Sequence, residues 1–420
     1  MLNPKTNQRE LCYVVKVNKV EPMIGYDSLE LATVNGWTCV VGKNSMQEGD
    51  LAIYFEIDSK LPEDSPFCDS PAIVKYKYKI KTQRFGRGGI KYFSQGLLMP
   101  LSDFSDLDLN NVQEGDFLTK QLGVTYYEPE DNARKASNEE LIKLKVEKKI
   151  ARWTKKHPFW AKFEFIVRLK AKWIERKIRK EQKKKKTDWP TWVVKTDEER
   201  IQNLPHIFND LEKWWYVTEK IDGTSTTFTM KQNKPKKREL IVCSRNVVFN
   251  APEKEDRNYY KDTDGNVYLE MAAKYKMEEV LSHLLDKAPN WEWVTIQGET
   301  YGGSIQKRNY GNEHKFAVFN FIFKENGRPP QRLNPVDMLS EISRINRDLE
   351  RIPSEMLECV PYLECIQLKQ YPTCEALLAY AGSEVSMVDG EMREGVVFRS
   401  EDGVNSFKAV DNEFLMVYHN

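Results

Sequence analysis

Apolar and polar positions follow three different rhythms along this chain. Up to about residue 125 they form short β-rich runs separated by turns: 11–17, which alternates, 31–41, interrupted by Asn35-Gly36, and 51–57. An Asn-Gly pair between apolar runs signals a hairpin, because both residues accept the positive φ of a two-residue turn. This pattern predicts a small β-barrel. From 141 to 186 the spacing becomes helical, with Trp160, Phe163, Val167, Ile174 and Ile178 near one face. The last region mixes periods. Strands are expected at 293–297 and 315–323, and one helix over 267–285, whose Leu269, Ala273, Met277, Val280, Leu281 and Leu284 share a side. Asn334-Pro335 is a helix start ahead of 338–349. There is no regular βαβ array and no internal repeat, so the class is multidomain: a β-barrel, a helical linker and an α+β domain. The boundaries fall at 1–128, 129–190 and 191–420, in line with a 420-residue chain too long for one core.

Charge sharpens that division. The net charge is only +1, yet 141–186 holds 19 Lys or Arg against four Glu, leaving −14 for the rest. A block so basic, interleaved with Trp153, Phe159, Trp160, Phe163, Phe165 and Trp173, is a footprint for a polyanion. The alternatives are a solvated linker helix and an anionic membrane surface. No apolar run approaches the ~20 residues of a spanning helix, the longest being 316–323. Residues 1–10 lack a signal-peptide core, and seven cysteines form no CxxC pair, so a cytoplasmic, reducing setting is expected. The five histidines show no zinc-like spacing, so no structural metal is assigned. His314 is expected to be a polar lead-in to a strand.

The sharpest local signal is Lys220-Ile221-Asp222-Gly223 within residues 218–225. A lysine amine attacks phosphorus only when unprotonated, and neighbouring cations lower its pKa. Asp222 could hold a hydrated divalent cation, and Gly223 would let the backbone come close. The loop 84–91, Arg-Phe-Gly-Arg-Gly-Gly-Ile-Lys, lacks the spacing of a phosphate loop and is expected to be a mobile basic hairpin tip.

Further pieces follow Lys220 in order: Ser244-Arg245-Asn246, Gln297-Gly298-Glu299, the strand around Phe319, Glu394-Gly395 through Arg399, and Ser406-Phe407-Lys408. This ordered set resembles the covalent nucleotidyltransferase superfamily of ATP-dependent ligases and capping enzymes. The stretches 49–58 and 94–97 resemble the N-terminal OB module of the Naegleria and Deinococcus type of RNA ligase, and 195–203 is similar to the same family. Only ten residues follow Val410, so no OB barrel is expected where DNA ligases and capping enzymes place one.

The resemblance implies the site. Lys220 would become a lysyl-AMP, with Asp222, Glu299 and Glu394 serving Mg²⁺ or Mn²⁺ through water. Arg245 and Glu299 would contact the ribose side, Thr218, Ile221 and Phe319 the adenine pocket, and Gly223 and Lys408 the α-phosphate. The implied reaction is ATP-dependent sealing of a 5′-phosphate to a 3′-hydroxyl, at a nick whose 3′-hydroxyl strand is RNA. The competing readings are a nucleic-acid-binding protein with a decayed transferase domain and a capping-type guanylyltransferase.

Two details depart from a simple match. Related ligases often carry Lys-x-Lys where this chain has Lys408-Ala409-Val410, so either one cation suffices or Arg399, Lys307 or Arg308 substitutes for the second. A two-residue turn at Asp402-Gly403 pairs Val397 with Lys408 and puts Glu394 and Lys408 on opposite faces. A shared role therefore requires a three-residue turn, or Glu394 outside the regular strand.

Overall fold

The computed structural model describes residues 1, 3, 9–63, 73–74, 76–87, 90–104, 112–126, 163–184, 189–232, 238–249, 266–303, 305–306 and 308–418, with scattered positions between 143 and 158. Phe159 and Trp160 and the central glycines of the 84–91 loop lie outside them, as does Lys307.

The N-terminal part is built on β1 (Cys12–Lys16), paired with β5 (Leu51–Phe55), which pairs in turn with β9 (Leu97–Pro100). A second sheet runs β2 (Lys19–Pro22), β3 (Leu29–Val34), β4 (Trp37–Gly42). Two short pairs complete it, β6 (Ser59–Lys60) with β10 (Thr125–Tyr126), and β7 (Gln83–Arg87) with β8 (Ile90–Ser94). The expected hairpins are present. Asn35 and Gly36 both take positive φ between β3 and β4, and β7–β8 carries the 84–91 segment. The one-sided alternation expected of 11–17 does not hold: β1 and β5 are buried on both faces. Tyr13, Val15, Ala52 and Tyr54 enter one core cluster, while Cys12, Val14, Ile53 and Phe55 enter a second that is closed by Leu61, Leu118, Leu122 and Val124. A strand covered on both sides has no polar face, which is why 11–15 reads apolar throughout.

From the basic segment, α1 (Glu164–Lys184) is one continuous helix. Ile174 is buried against Val146 and Ile150, while Phe165, Leu169 and Trp173 are exposed. Among the described residues no helix is long and apolar enough to cross a membrane.

Two sheets organise the rest. A five-stranded sheet has the order β11 (Glu199–Arg200), β22 (Ser406–Val410), β21 (Gly395–Ser400), β12 (Trp214–Lys220), β20 (Tyr362–Gln367). The larger sheet runs β15 (Val248–Phe249), β14 (Ile241–Cys243), β13 (Thr224–Lys231), β16 (Trp291–Tyr301), β17 (Lys315–Glu325), β18 (Gln331–Arg332), with β19 (Glu358–Cys359) also on β17. Helices α2 (Val267–Lys274), α3 (Met277–Lys287) and α4 (Pro335–Asp348) close its outer face through Met271, Leu281, Leu284, Met338 and Ile342, packed on Phe228, Ile296 and Phe321. Against the smaller sheet, α5 (Cys374–Gly382) sets Leu377, Leu378 and Ala381 on Trp215, Phe398 and Phe407. The chain ends in α6 (Asn412–Tyr418).

The single helix expected over 267–285 is two. Lys276 takes the left-handed conformation between α2 and α3, while the Tyr275 hydroxyl accepts from the Phe316 amide and its carbonyl from Arg351. Tertiary anchoring of Tyr275 breaks a periodicity that continues across the gap. Asn334 caps α4 as expected, accepting from the Val336 and Asp337 amides.

The barrel is packed onto the C-terminal half. A Cβ on Gly36 would meet Cys374 Sγ and the Leu378 side chain, both at 2.8 Å, and Gln95 donates to Asn412. Arg200 lies over the Trp37 ring, 5.6 Å from its centroid. Phe398 stacks on Phe407 at 4.7 Å in the core beneath β21 and β22, and both are fully buried. Phe398→Ala is expected to cost about 3–5 kcal/mol of unfolding free energy in a denaturant titration, and a loss below 1 kcal/mol would contradict this packing.

Candidate active site

The connection between the two sheets makes the site. β12 ends on Lys220 in the smaller sheet and β13 begins on Thr224 in the larger, so Ile221, Asp222 and Gly223 cross from one to the other. At Gly223 a Cβ would lie 2.3 Å from the Thr300 carbonyl oxygen, so only glycine fits this crossing. The Asp222 amide donates to the Tyr310 hydroxyl at 3.2 Å, and Gln306 donates to the Gly223 carbonyl at 3.0 Å. A cleft of about 290 Å³ opens between the sheets over this turn.

Every residue proposed from sequence for nucleotide or metal lines it: Thr218, Lys220, Ile221, Asp222, Gly223, Arg245, Glu299, Phe319, Glu394 and Lys408. Lys220 Nζ lies 2.7 Å from Glu394. Glu299 lies on β16 opposite Ser225. Arg245 is at the exposed rim, paired with Asp197 at 2.8 Å.

Phe319 reaches the cleft through a bulge. Asn320 pairs with Gln297 and Val318 with Gly298, leaving Phe319 as the extra residue. The core accordingly takes Phe316 and Val318 before it and Phe321 and Phe323 after it, while Phe319 packs beside Ile221 and Val360.

The turn question resolves in favour of Glu394 outside the strand. Val397 pairs with Lys408, as in the short-turn register, and Ser400 and Asn405 close a four-residue loop, so the three-residue turn is not formed. β21 begins only at Gly395, whose φ of 156° and missing Cβ matter. A methyl there would lie 2.2 Å from the Ala409 carbonyl. Glu394 is thereby freed from strand alternation and turns toward Lys220.

The electrostatics correct one expectation. Burial alone would pull the Lys220 ammonium down, but Glu394, Glu299 and Asp222 hold it above the ordinary lysine value. It is a paired ammonium, and the charges acting on it are carboxylates where cations were expected. Lys408 moves the other way, to about 8, through burial and the nearby Lys220 and Arg200. Burial pushes Glu299 up to about 8, against the pull of Lys220 and with Glu394 and Asp222 adding to it.

Three clustered carboxylates with no sulfur or imidazole form a hard donor set, suited to Mg²⁺ or Mn²⁺. Among the described residues no group of three His, Cys, Asp or Glu could hold an ion directly, so the fit is to a hydrated cation.

Of the substitutes for the second lysine, Arg308 is committed elsewhere. It binds Asp389 at 2.9 Å and 2.5 Å and stacks near Tyr310 and Phe414. His314 leads into β17 as expected and meets Glu270 at 2.9 Å. Sequence reasoning assigned no role to Asp197 or Glu198, which line the cleft from the 195–203 segment. The signal was that acidic run itself. Glu219 also lines the cleft, its carboxylate accepting from Ser386 Oγ and the Met387 amide.

Residues 213–410 match the RNA ligase family profile, and 11–101 match an OB-fold domain profile. The part of the chain that carries the cleft is thus similar to the RNA ligase family. No curated protein matches the sequence. Among solved structures, an RNA ligase variant from Naegleria gruberi with AMP and Mn is 27% identical, with 97% of this chain and 98% of that chain covered and a TM-score of 0.62. A second variant of that ligase, with ATP and Mn, is 27% identical over 98% of this chain and 100% of that one, TM-score 0.62. An apo variant is 26% identical over 97% and 98%, TM-score 0.61. The ligase fold thus extends across both halves of the chain, with the OB module first.

The raised Glu299 has a consequence for stability. Between pH 4.5 and 8 the native protein keeps a proton that the unfolded chain has released, so this group lowers stability as pH rises through that window. Glu299→Gln is expected to gain on the order of 1 kcal/mol at pH 8 and nothing at pH 4.5. Equal or lower melting temperatures for the variant at pH 8 would contradict the burial of that charge.

Proposed function

We propose that this protein is an ATP-dependent RNA ligase that seals a 5′-phosphate to a 3′-hydroxyl through a lysyl-AMP on Lys220. The observation that carries the reading is the position of Lys220 Nζ in the cleft, 2.7 Å from Glu394 and flanked by Asp222, Glu299 and Lys408. In this reading 1–128 is the OB domain, 129–190 the basic linker and 191–420 the adenylyltransferase domain. The free thiols fit a reducing, cytoplasmic setting.

The neutral Lys220 amine attacks the α-phosphorus of ATP, forming a P–N bond as the bond to the β-phosphate oxygen breaks and pyrophosphate leaves. Lys408 neutralises charge on the α-phosphate, and Arg245 exchanges Asp197 for the ribose side. Thr218, Ile221 and Phe319 enclose the base. A 5′-phosphate oxygen of RNA then attacks the adenylate phosphorus, breaking the P–N bond. Finally the 3′-hydroxyl oxygen attacks the activated 5′-phosphorus and AMP leaves. The substrate is a nick with an RNA 3′-hydroxyl strand.

Asp222, Glu299 and Glu394 would hold Mg²⁺ or Mn²⁺ through water. When bound, that cation supplies positive charge which offsets the carboxylates and stabilises the developing phosphate charge. Lys220, held as an ammonium by Glu394, Glu299 and Asp222, must lose its proton before it attacks.

Incubation with α-labelled ATP or GTP and Mg²⁺ or Mn²⁺ tests this reading. Acid-labile label from ATP, abolished by Lys220→Ala, is expected. Label from GTP alone would favour a capping activity, and none from either a decayed domain.

The basic linker is assigned to the RNA backbone. Deleting 141–186 is expected to weaken RNA binding about tenfold or more near 0.1 M salt and to flatten its salt dependence. Unchanged affinity and slope would remove the linker from RNA contact.

A further inference from the structure

Arg399 is the least satisfied charge in the cleft. It is 3% exposed and lines the cavity, yet among the described residues neither Nε nor Nη1 has a hydrogen-bond partner. Among the described residues its bond is from Nη2 to Glu198, a long 3.4 Å, and Glu198 is fixed in turn by Ser406 Oγ. A buried guanidinium with two idle donors is costly unless a ligand supplies acceptors.

Its position says which part of a ligand that is. On β21 Arg399 pairs with Tyr216, while Lys220 pairs with Gly395. The two are four residues apart, about 13 Å along the strands, comparable with the length of a nucleoside monophosphate. The backbone rows between them carry Thr218 and Val397, both lining the cleft. The charges acting on Lys220 are Glu394, Glu299 and Asp222, whereas Arg399 answers to Glu198 and Arg332. Arg399 therefore stands at the end of the cleft away from the phosphate chemistry. It does not replace the second lysine missing after Lys408.

We propose that Arg399 reads the purine: with its fork held by Glu198, it donates to the ring nitrogen N1 at the edge of adenine farthest from the ribose. This rests on the ATP reading above and adds the residue that recognises the base.

The test compares ATP with 1-deaza-ATP, in which N1 is a C–H, as substrates for Lys220 labelling by the full-length protein. For the unaltered chain the analogue is expected to raise KM about ten- to a hundredfold with a similar maximal rate, the loss of one charged hydrogen bond. Arg399→Met, checked for an intact thermal transition, should raise KM for ATP by a comparable factor and leave the two nucleotides nearly equal. Equal use of both by the unaltered chain overturns the assignment, and needs no variant to fold. So does an Arg399→Met protein that is impaired yet still prefers ATP by the original factor, the mark of a purely structural role. Labelling by neither nucleotide overturns this assignment together with the ATP reading, whereas labelling by both alike overturns this one alone.

Discussion

The ion pair between Lys220 and Glu394 is the constraint on which the rest of the site depends. It spans the start of β21 and the end of β12, at the point where the chain leaves one sheet for the other. A half-buried ammonium beside three carboxylates is tolerable because each charge offsets the others. Removing one partner leaves the remainder uncompensated, and adding a cation changes which of them holds a proton. In the proposed reaction this same pair would have to give up Lys220 as a neutral amine. Stability and chemistry pull in opposite directions here, most clearly at Glu299, whose burial costs stability and places an oxygen donor above the crossing turn.

Backbone rules explain why these side chains meet. Gly223 permits the crossing, Gly395 ends the regular strand so that Glu394 escapes its alternation, and the bulge at Phe319 turns an aromatic out of a strand that is otherwise core. None of these depends on the identity of the neighbouring apolar residues. Coupling to the N-terminal barrel follows the same economy. Arg200 pairs with Lys408 along β11 and β22 while its guanidinium lies over Trp37, so the residue that meets the barrel is the strand partner of Lys408.

Much of this was legible in the sequence where chemistry demands a residue type. Lys220, Asp222 and Gly223 announce themselves by spacing, Asn35-Gly36 by turn geometry and Asn334-Pro335 by capping. Less was legible where tertiary contacts choose between local options. Residues 316–323 are apolar on both faces apart from Asn320, so nothing in the run marks the bulge. Helical spacing continues across Tyr275 and Lys276, so the break between α2 and α3 is invisible until Arg351 and Phe316 are in place. The sign of the Lys220 shift was also hidden, because it depends on which carboxylates arrive from β16 and from the residue before β21. Arg399 stood out as a spare cation, but its place at the far end of the cleft follows only from strand register.

Intact-mass and peptide-mapping mass spectrometry of the protein after incubation with ATP and Mn²⁺ tests the central claim most directly. The account predicts a single adenylate per chain, on the peptide that contains Lys220 and on that side chain. An adenylate found only on another lysine, or no adduct under conditions where the protein nevertheless joins RNA ends, would contradict it.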